Sequence, residues 1–130
     1  MTIANLKKVK LIKNSNFVLI FYKGKEIVYV GKCIHNVPNI FAHNDKDFDS
    51  YALIECANDD EVVLTQSELI INHLPKYNNT LPINDRYMTK SVIKRTYDVT
   101  GHELNKYIKT NKVRPVYQDY YDVRDIFQFN

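Results

Sequence analysis

The stretches EIVYVGKC (residues 26–33) and LTQSELIINHLPKYN (residues 64–78) decide the fold of this chain. The first alternates Val, Ile and Tyr as a β-strand does, and it contains Tyr-Val-Gly. Together with the preceding FVLIFYK, it predicts a hairpin with a Lys-Gly-Lys turn, where Gly24 can take positive φ. DSYALIECA (residues 49–57) predicts a third strand. We therefore expect a small antiparallel sheet.

The second stretch predicts a helix over residues 64–74, stopped by Pro75, with residues 57–61 as a loop before it. Glu68 lies four residues after Leu64 and three before Ile71, which places a carboxylate on the apolar stripe of the helix. Glu68 could instead have a purely structural role, because Thr65-Gln66-Ser67-Glu68 also fits a capping box with Thr65 as the N-cap.

This ordered set resembles the GIY-YIG nuclease superfamily over residues 16–80. The resemblance implies an α+β fold in which helices flank a small antiparallel sheet, and a metal-dependent DNA endonuclease activity. It matches Tyr29 to the tyrosine of the second motif and His43 to a His or Tyr position. Glu68 corresponds to the glutamate that holds a divalent metal such as Mg²⁺, and Asn78 to the asparagine of the turn after the helix.

Two residues depart from the family pattern. Leu19 stands where the first motif has a tyrosine, and Asn39 stands where the family has an arginine. No arginine precedes Arg86, so a local shift in alignment cannot restore it. Losing a group that stabilises developing charge costs about 10²–10³ in rate. We therefore expect impaired or absent catalysis, with Lys32 or Lys46 as partial substitutes for the arginine.

The charge of the chain is unevenly distributed. Residues 1–82 carry nine Lys and nine Asp or Glu, whereas residues 83–130 carry nine Lys or Arg and six Asp or Glu. All four arginines lie in the second part. Since NNTLPIND (residues 78–85) has no regular pattern, we place a domain boundary between residues 82 and 83. The asymmetry favours the second domain as the nucleic-acid-binding part.

Residues 88–129 resemble the small winged helix-turn-helix of excisionase and MerR-like proteins, on the phrase TYDVTGHELNKYIKTNKVRPV (residues 96–116). The pattern predicts helices over residues 88–98 and 101–111, an extended segment over 113–123, and a short helix over 124–129. The resemblance implies that helix 101–111 enters the major groove of double-stranded DNA.

The predicted DNA-binding residues are polar or basic and fall into two groups. On the second helix, Asn105 could read adenine and Lys106 could contact guanine or phosphate. The other residues would contact the phosphate backbone and set the position of the protein along the DNA. The full set is Lys94, Arg95, His102, Asn105, Lys106, Lys109, Lys112 and Arg114.

The sequence thus predicts a DNA-binding protein with a nuclease-like domain of reduced activity, of the kind found in phages and mobile elements. An active Mg²⁺-dependent endonuclease and an interaction module for a host protein are the alternatives. A single domain of this size rarely binds DNA tightly, so a homodimer or help from the first domain is expected. No stretch approaches the length of a membrane span, and the N-terminus does not resemble a signal peptide, so we expect a cytoplasmic protein.

Overall fold

The computed structural model describes residues 16–33 and 45–127. Two of the predicted site positions, Asn39 and His43, lie outside these ranges. The chain forms two compact units, Met1–Pro82 and Ile83–Asn130. Their assignment to the two predicted domain families stays a prediction.

The first unit contains an antiparallel sheet, as the sequence predicted. Strands β1 (Asn16–Lys23), β2 (Glu26–Cys33) and β3 (Ser50–Cys56) lie in the order β2-β1-β3. Gly24 in the hairpin turn has φ 61°, which glycine tolerates without strain. A cluster of mainly aromatic residues covers one face of the sheet; it comprises Leu19, Phe21, Val28 and Tyr51, with Tyr29, Phe48, Leu53 and Tyr77 packed against it.

Helix α1 (Asp59–His73) packs against all three strands. It begins five residues before the predicted start, so residues 59–61 of the predicted loop 57–61 belong to the helix. The Asn58 side chain caps the helix by accepting a 2.9 Å hydrogen bond from the Glu61 amide. Acidic residues then fill the first turn, where the helix dipole favours negative charge. The alternative N-cap at Thr65 was therefore also wrong.

The second unit has the order β4 (Tyr87–Thr89), α2 (Lys90–Tyr97), α3 (Gly101–Thr110), β5 (Tyr120–Asp122) and α4 (Val123–Phe127). Strands β4 and β5 pair antiparallel. Residues 88 and 89, which the sequence predicted as the start of a helix, therefore belong to a strand. Their pairing with β5 outweighs the local preference for a helix. The core consists of Met88, Ile93, Leu104, Tyr121, Val123 and Ile126.

Together the two units confirm the predicted α+β class. Among the described residues, no helix is long and apolar enough to cross a membrane.

Candidate functional site

Two residues of the Tyr-Val-Gly motif on β2, Tyr29 and Gly31, are in close contact. Tyr29 and Gly31 project from the same face of the strand, because side chains alternate along it. A Cβ on Gly31 would lie 2.7 Å from Tyr29 Cε2 and 2.9 Å from its hydroxyl. The tyrosine ring therefore lies along the strand over the glycine, in space that no other residue would leave open.

Burial raises the pKa of Tyr29, and the nearby Cys33 and Asp45 raise it further. Its hydroxyl is consequently protonated at neutral pH and can donate a hydrogen bond. The same effect opposes its use as a phenolate base.

The position that the sequence resemblance aligns with the first-motif tyrosine holds a buried leucine. Leu19 pairs with Gly31 across β1 and β2, and the next pair on that face is Phe21 with Tyr29. Leu19 is 1% exposed and belongs to the core cluster. An apolar group therefore stands beside the Tyr29–Gly31 contact.

A lysine approaches the same tyrosine. Lys46 Nζ lies 4.7 Å from the centroid of the Tyr29 ring, a distance typical of a cation–π contact. Its side chain is 15% exposed, and Asp45 Oδ1 lies 3.4 Å from Nζ. Lys46 is thus a cation next to Tyr29, whereas Lys32 points to solvent from β2.

Asn78 binds to the outer edge of β2. Its Oδ1 accepts from the Val30 amide at 2.8 Å, and its Nδ2 donates to the Val30 carbonyl at 2.9 Å. The Tyr77 amide donates to the Val28 carbonyl at 2.9 Å. The turn after α1 therefore pairs with β2 much as a fourth strand would, and Asn78 fixes the backbone next to Tyr29.

Helix α1 presents an amide, and not a carboxylate, to β2. Gln66 is 9% exposed and donates from Nε2 to the Val30 carbonyl at 3.2 Å. Its buried Oε1 has no hydrogen-bond partner in the part of the chain that the structure describes. Glu68 is exposed, about 200° around the helix from Gln66. The buried stripe consists of Val62, Gln66, Ser67 and Ile70, so the placement of Glu68 on the apolar stripe was wrong.

The sequence-based prediction names one carboxylate, Glu68, as the ligand of a divalent metal. Mg²⁺ prefers carboxylate oxygens and usually takes one or two of them. Over residues 16–33 and 45–127, no group of three His, Cys, Asp or Glu side chains converges on one point. The role of Glu68 as a metal ligand stays a prediction.

In the second unit, α3 has a well-defined start. Thr100 caps the helix by accepting from the Glu103 amide at 3.1 Å, and Glu103 Oε1 accepts from the Thr100 amide at 3.1 Å. This capping box satisfies two amides that the helix leaves unpaired. Leu104 is 1% exposed and anchors the helix in the core.

The opposite side of α3 is exposed and polar. His102, Asn105, Lys106 and Lys109 all point to solvent, as the sequence predicted. The four residues predicted to contact phosphates are also exposed: Lys94, Arg95, Lys112 and Arg114. Their contacts with DNA stay a prediction.

One residue of this surface was missed by the sequence reasoning. Lys90 Nζ donates to Asn105 Oδ1 at 3.2 Å. This contact joins the first residue of α2 to α3. Because the pattern predicts a helix that already begins at residue 88, it does not mark Lys90 as a residue at a helix start.

The remaining arginines of the unit support its structure. Arg86 Nε lies 3.0 Å from Asp122 Oδ2, and Arg124 Nε lies 3.6 Å from Asp122 Oδ1. Asp122 is 6% exposed and accepts from the Arg124 amide at 3.0 Å, so it caps α4. A buried carboxylate paired in this way is a structural feature of the β4–β5 region.

Comparison with known proteins gives one group of similar structures. The chain is similar to the GIY-YIG N-terminal endonuclease domain of UvrC from Thermotoga maritima, which was solved with magnesium as its catalytic divalent cation. The identity is 24%, the match covers 61% of this chain and 100% of that domain, and the TM-score is 0.46. For a point mutant of that domain with asparagine replaced by alanine, the identity is 22% and the TM-score is 0.47. That match covers 62% of this chain and 100% of the mutant domain.

At this TM-score and identity, the similarity alone establishes neither a shared fold nor a shared activity. No family model matches the chain, and no curated protein matches it.

Proposed function

We propose that this chain is a DNA-binding protein of two domains, acting inside a bacterial or host cell and derived from a phage or mobile element. Residues 83–130 bind duplex DNA as a winged helix-turn-helix, with α3 in the major groove. Residues 1–82 form a GIY-YIG-type nuclease-like domain with impaired catalysis. The observation that carries the proposal is the capped helix α3, anchored by Leu104 and exposing basic and amide side chains opposite it.

The element order of the second unit supports this proposal. Two helices joined by a short turn lie between two paired strands, and the segment after α3 returns to the sheet. Asp98 takes a left-handed conformation that ends α2, and Val99 packs against the core. A compact unit of this kind can hold α3 rigidly while its polar side stays exposed.

Impaired catalysis is supported by the groups around Tyr29. Leu19 offers no hydroxyl, and Gln66 offers a neutral amide where α1 meets β2. Asn78 uses both ends of its amide to hold Val30. Phosphodiester hydrolysis needs an activated nucleophile and a group that stabilises negative charge. On this proposal, the retained residues preserve the shape of the site more than its chemistry.

An active endonuclease is the second candidate, and the position of Lys46 favours it. A cation beside Tyr29 can contribute charge that the missing arginine would have supplied. Lysine provides a point charge without the two-pronged geometry of arginine, so the expected rate is low. Glu68 would then be the carboxylate that supports a divalent metal.

The test of DNA binding uses the full chain and short duplex DNA in a gel-shift assay. The double variant Lys106→Ala/Lys109→Ala should bind at least about tenfold more weakly, since each charge-assisted hydrogen bond contributes on the order of 1.5 kcal/mol or more. Lys25→Ala/Lys76→Ala removes two exposed lysines from the first unit and is the control for net charge. Unchanged affinity of the first variant would contradict the role of α3.

Incubation of the same samples with supercoiled plasmid and Mg²⁺ or Mn²⁺ separates the two candidates. A shift without nicking is the expected result. Nicking that is lost in Glu68→Ala, while binding persists, would establish the active endonuclease. A chain that neither shifts nor nicks DNA would point to a protein partner.

A further inference from the structure

The hydrogen bond between Lys90 and Asn105 changes what α3 can present to a base. Asn105 lies on the exposed side of α3, and its Oδ1 accepts from Lys90 Nζ at 3.2 Å. Lys90 Nζ also lies 5.9 Å from the centroid of the Tyr121 ring. Tyr121 is 8% exposed and part of the core, so the lysine extends along a fixed surface towards Asn105.

An isolated asparagine amide is suited to adenine. Its oxygen accepts from the N6 amino group while its nitrogen donates to N7. Here the Asn105 oxygen is already bonded to an ammonium group, so the pair offers donors from Asn105 Nδ2 and from Lys90 Nζ. Two adjacent donors match N7 and O6 of guanine, which are both acceptors. The ammonium charge is also attracted to O6 and opposed to the adenine amino group.

We infer that Asn105 and Lys90 together read guanine, and that Lys90 determines specificity although it lies on α2. This inference rests on the proposed insertion of α3 into the major groove. It replaces the sequence-based interpretation of Asn105 as a reader of adenine. A sequence pattern could not have shown this, because residues 90 and 105 meet only through the fold.

The experiment begins with selection of duplexes by the full chain from a pool with a randomised central segment. The position read by Asn105 is the one whose base preference disappears in Asn105→Ala. Affinities are then measured for the four base pairs at that position, using the unmodified chain, Lys90→Met and Lys94→Met. Lys90→Met removes the ammonium and keeps an unbranched stem. Lys94→Met makes the same change at an exposed position on the same helix.

The unmodified chain should prefer guanine over adenine by about 5- to 150-fold, the range for one bidentate base contact. In Lys90→Met the preference should disappear or turn to adenine. Lys94→Met should weaken binding to all four duplexes alike.

An adenine preference in the unmodified chain, or a guanine preference that survives Lys90→Met, would overturn the inference. Binding in which no base preference depends on Asn105 would overturn it too, while leaving the proposed function intact. If the chain binds no duplex in the pool, the proposed function and the inference both fail.

Discussion

Asn78 shows how one side chain can substitute for part of a strand. Its amide donates to and accepts from the same residue, Val30, which is fully buried on the edge strand β2. Gln66 donates to the same Val30 carbonyl from α1. Two amides from different segments therefore converge on the residue next to Tyr29. This arrangement gives Asn78 a structural role that does not depend on catalysis.

Asn78→Ala should lower the free energy of unfolding by about 1–3 kcal/mol, because it leaves the buried Val30 amide without its partner and the Val30 carbonyl with only the Gln66 contact. Asn79→Ala changes an exposed neighbour of the same type and should stay within about 0.5 kcal/mol. Urea unfolding followed by circular dichroism measures both. Equal stability of the two variants would show that the Asn78 contacts contribute little to folding.

At this scale the sequence located residues that lie together in the fold, but it did not predict their contacts. The motif located Tyr29, Gly31 and Asn78, which the fold brings to one strand. It missed Gln66, because the expected helix began five residues late and its buried stripe was assigned to the wrong side. A helix start depends on its cap, and the cap Asn58 lies in the segment that the sequence predicts as a loop.

Among the elements, α3 is the one whose start the sequence defines most clearly. Thr100 and Glu103 bond to each other's backbone amides, and the pattern Thr-x-x-Glu precedes the apolar positions of the helix. The hydrogen bonds from Thr100 lower the pKa of Glu103 below its ordinary value. Strand β4 was not foreseen, since three residues carry too little pattern and its pairing partner lies over thirty positions away.

The capping box should make stability depend on pH. A carboxylate whose pKa is lower in the folded state stabilises that state at pH values above its unfolded pKa of about 4.5. This contribution disappears as the pH falls through the lower pKa of the folded state. Glu103→Gln should therefore be less stable than the unmodified chain at pH 6, with the difference shrinking towards pH 3. Urea unfolding across this range gives the comparison. Glu55→Gln, at an exposed position on β3, controls for the loss of one charge. A difference between Glu103→Gln and the unmodified chain that stays constant with pH would contradict the capping role.

Over the whole molecule, charge and fold divide the chain in a consistent way. The unit Met1–Pro82 spans the part with balanced charge, and the unit Ile83–Asn130 spans the part with three excess positive charges. In the second unit, Arg86 and Arg124 bind Asp122, while other basic side chains point to solvent. The available positive charge is therefore on α2, α3 and the segment that follows α3.

The salt dependence of DNA binding should follow this distribution. Each phosphate contact adds about one unit to the slope of log affinity against log salt concentration, so Lys94→Ala/Lys112→Ala should reduce the slope by about 2. The base preference should not change, since phosphate contacts carry no sequence information. Titrations at several salt concentrations measure the slope, with Lys25→Ala/Lys76→Ala as the charge-matched control. Equal reductions in both variants would mean that binding depends on net charge and not on the second unit.

The contact between Tyr29 and Gly31 bears on how signature motifs should be interpreted. A Cβ on this glycine would force the Tyr29 ring to move, and this steric effect is the same in a working enzyme and in an inactive one. Mutational drift that removes activity can therefore leave Tyr-Val-Gly untouched, since a larger residue at the glycine would displace the tyrosine ring. Such a motif is evidence of local shape, and activity has to be established from the other residues of the site.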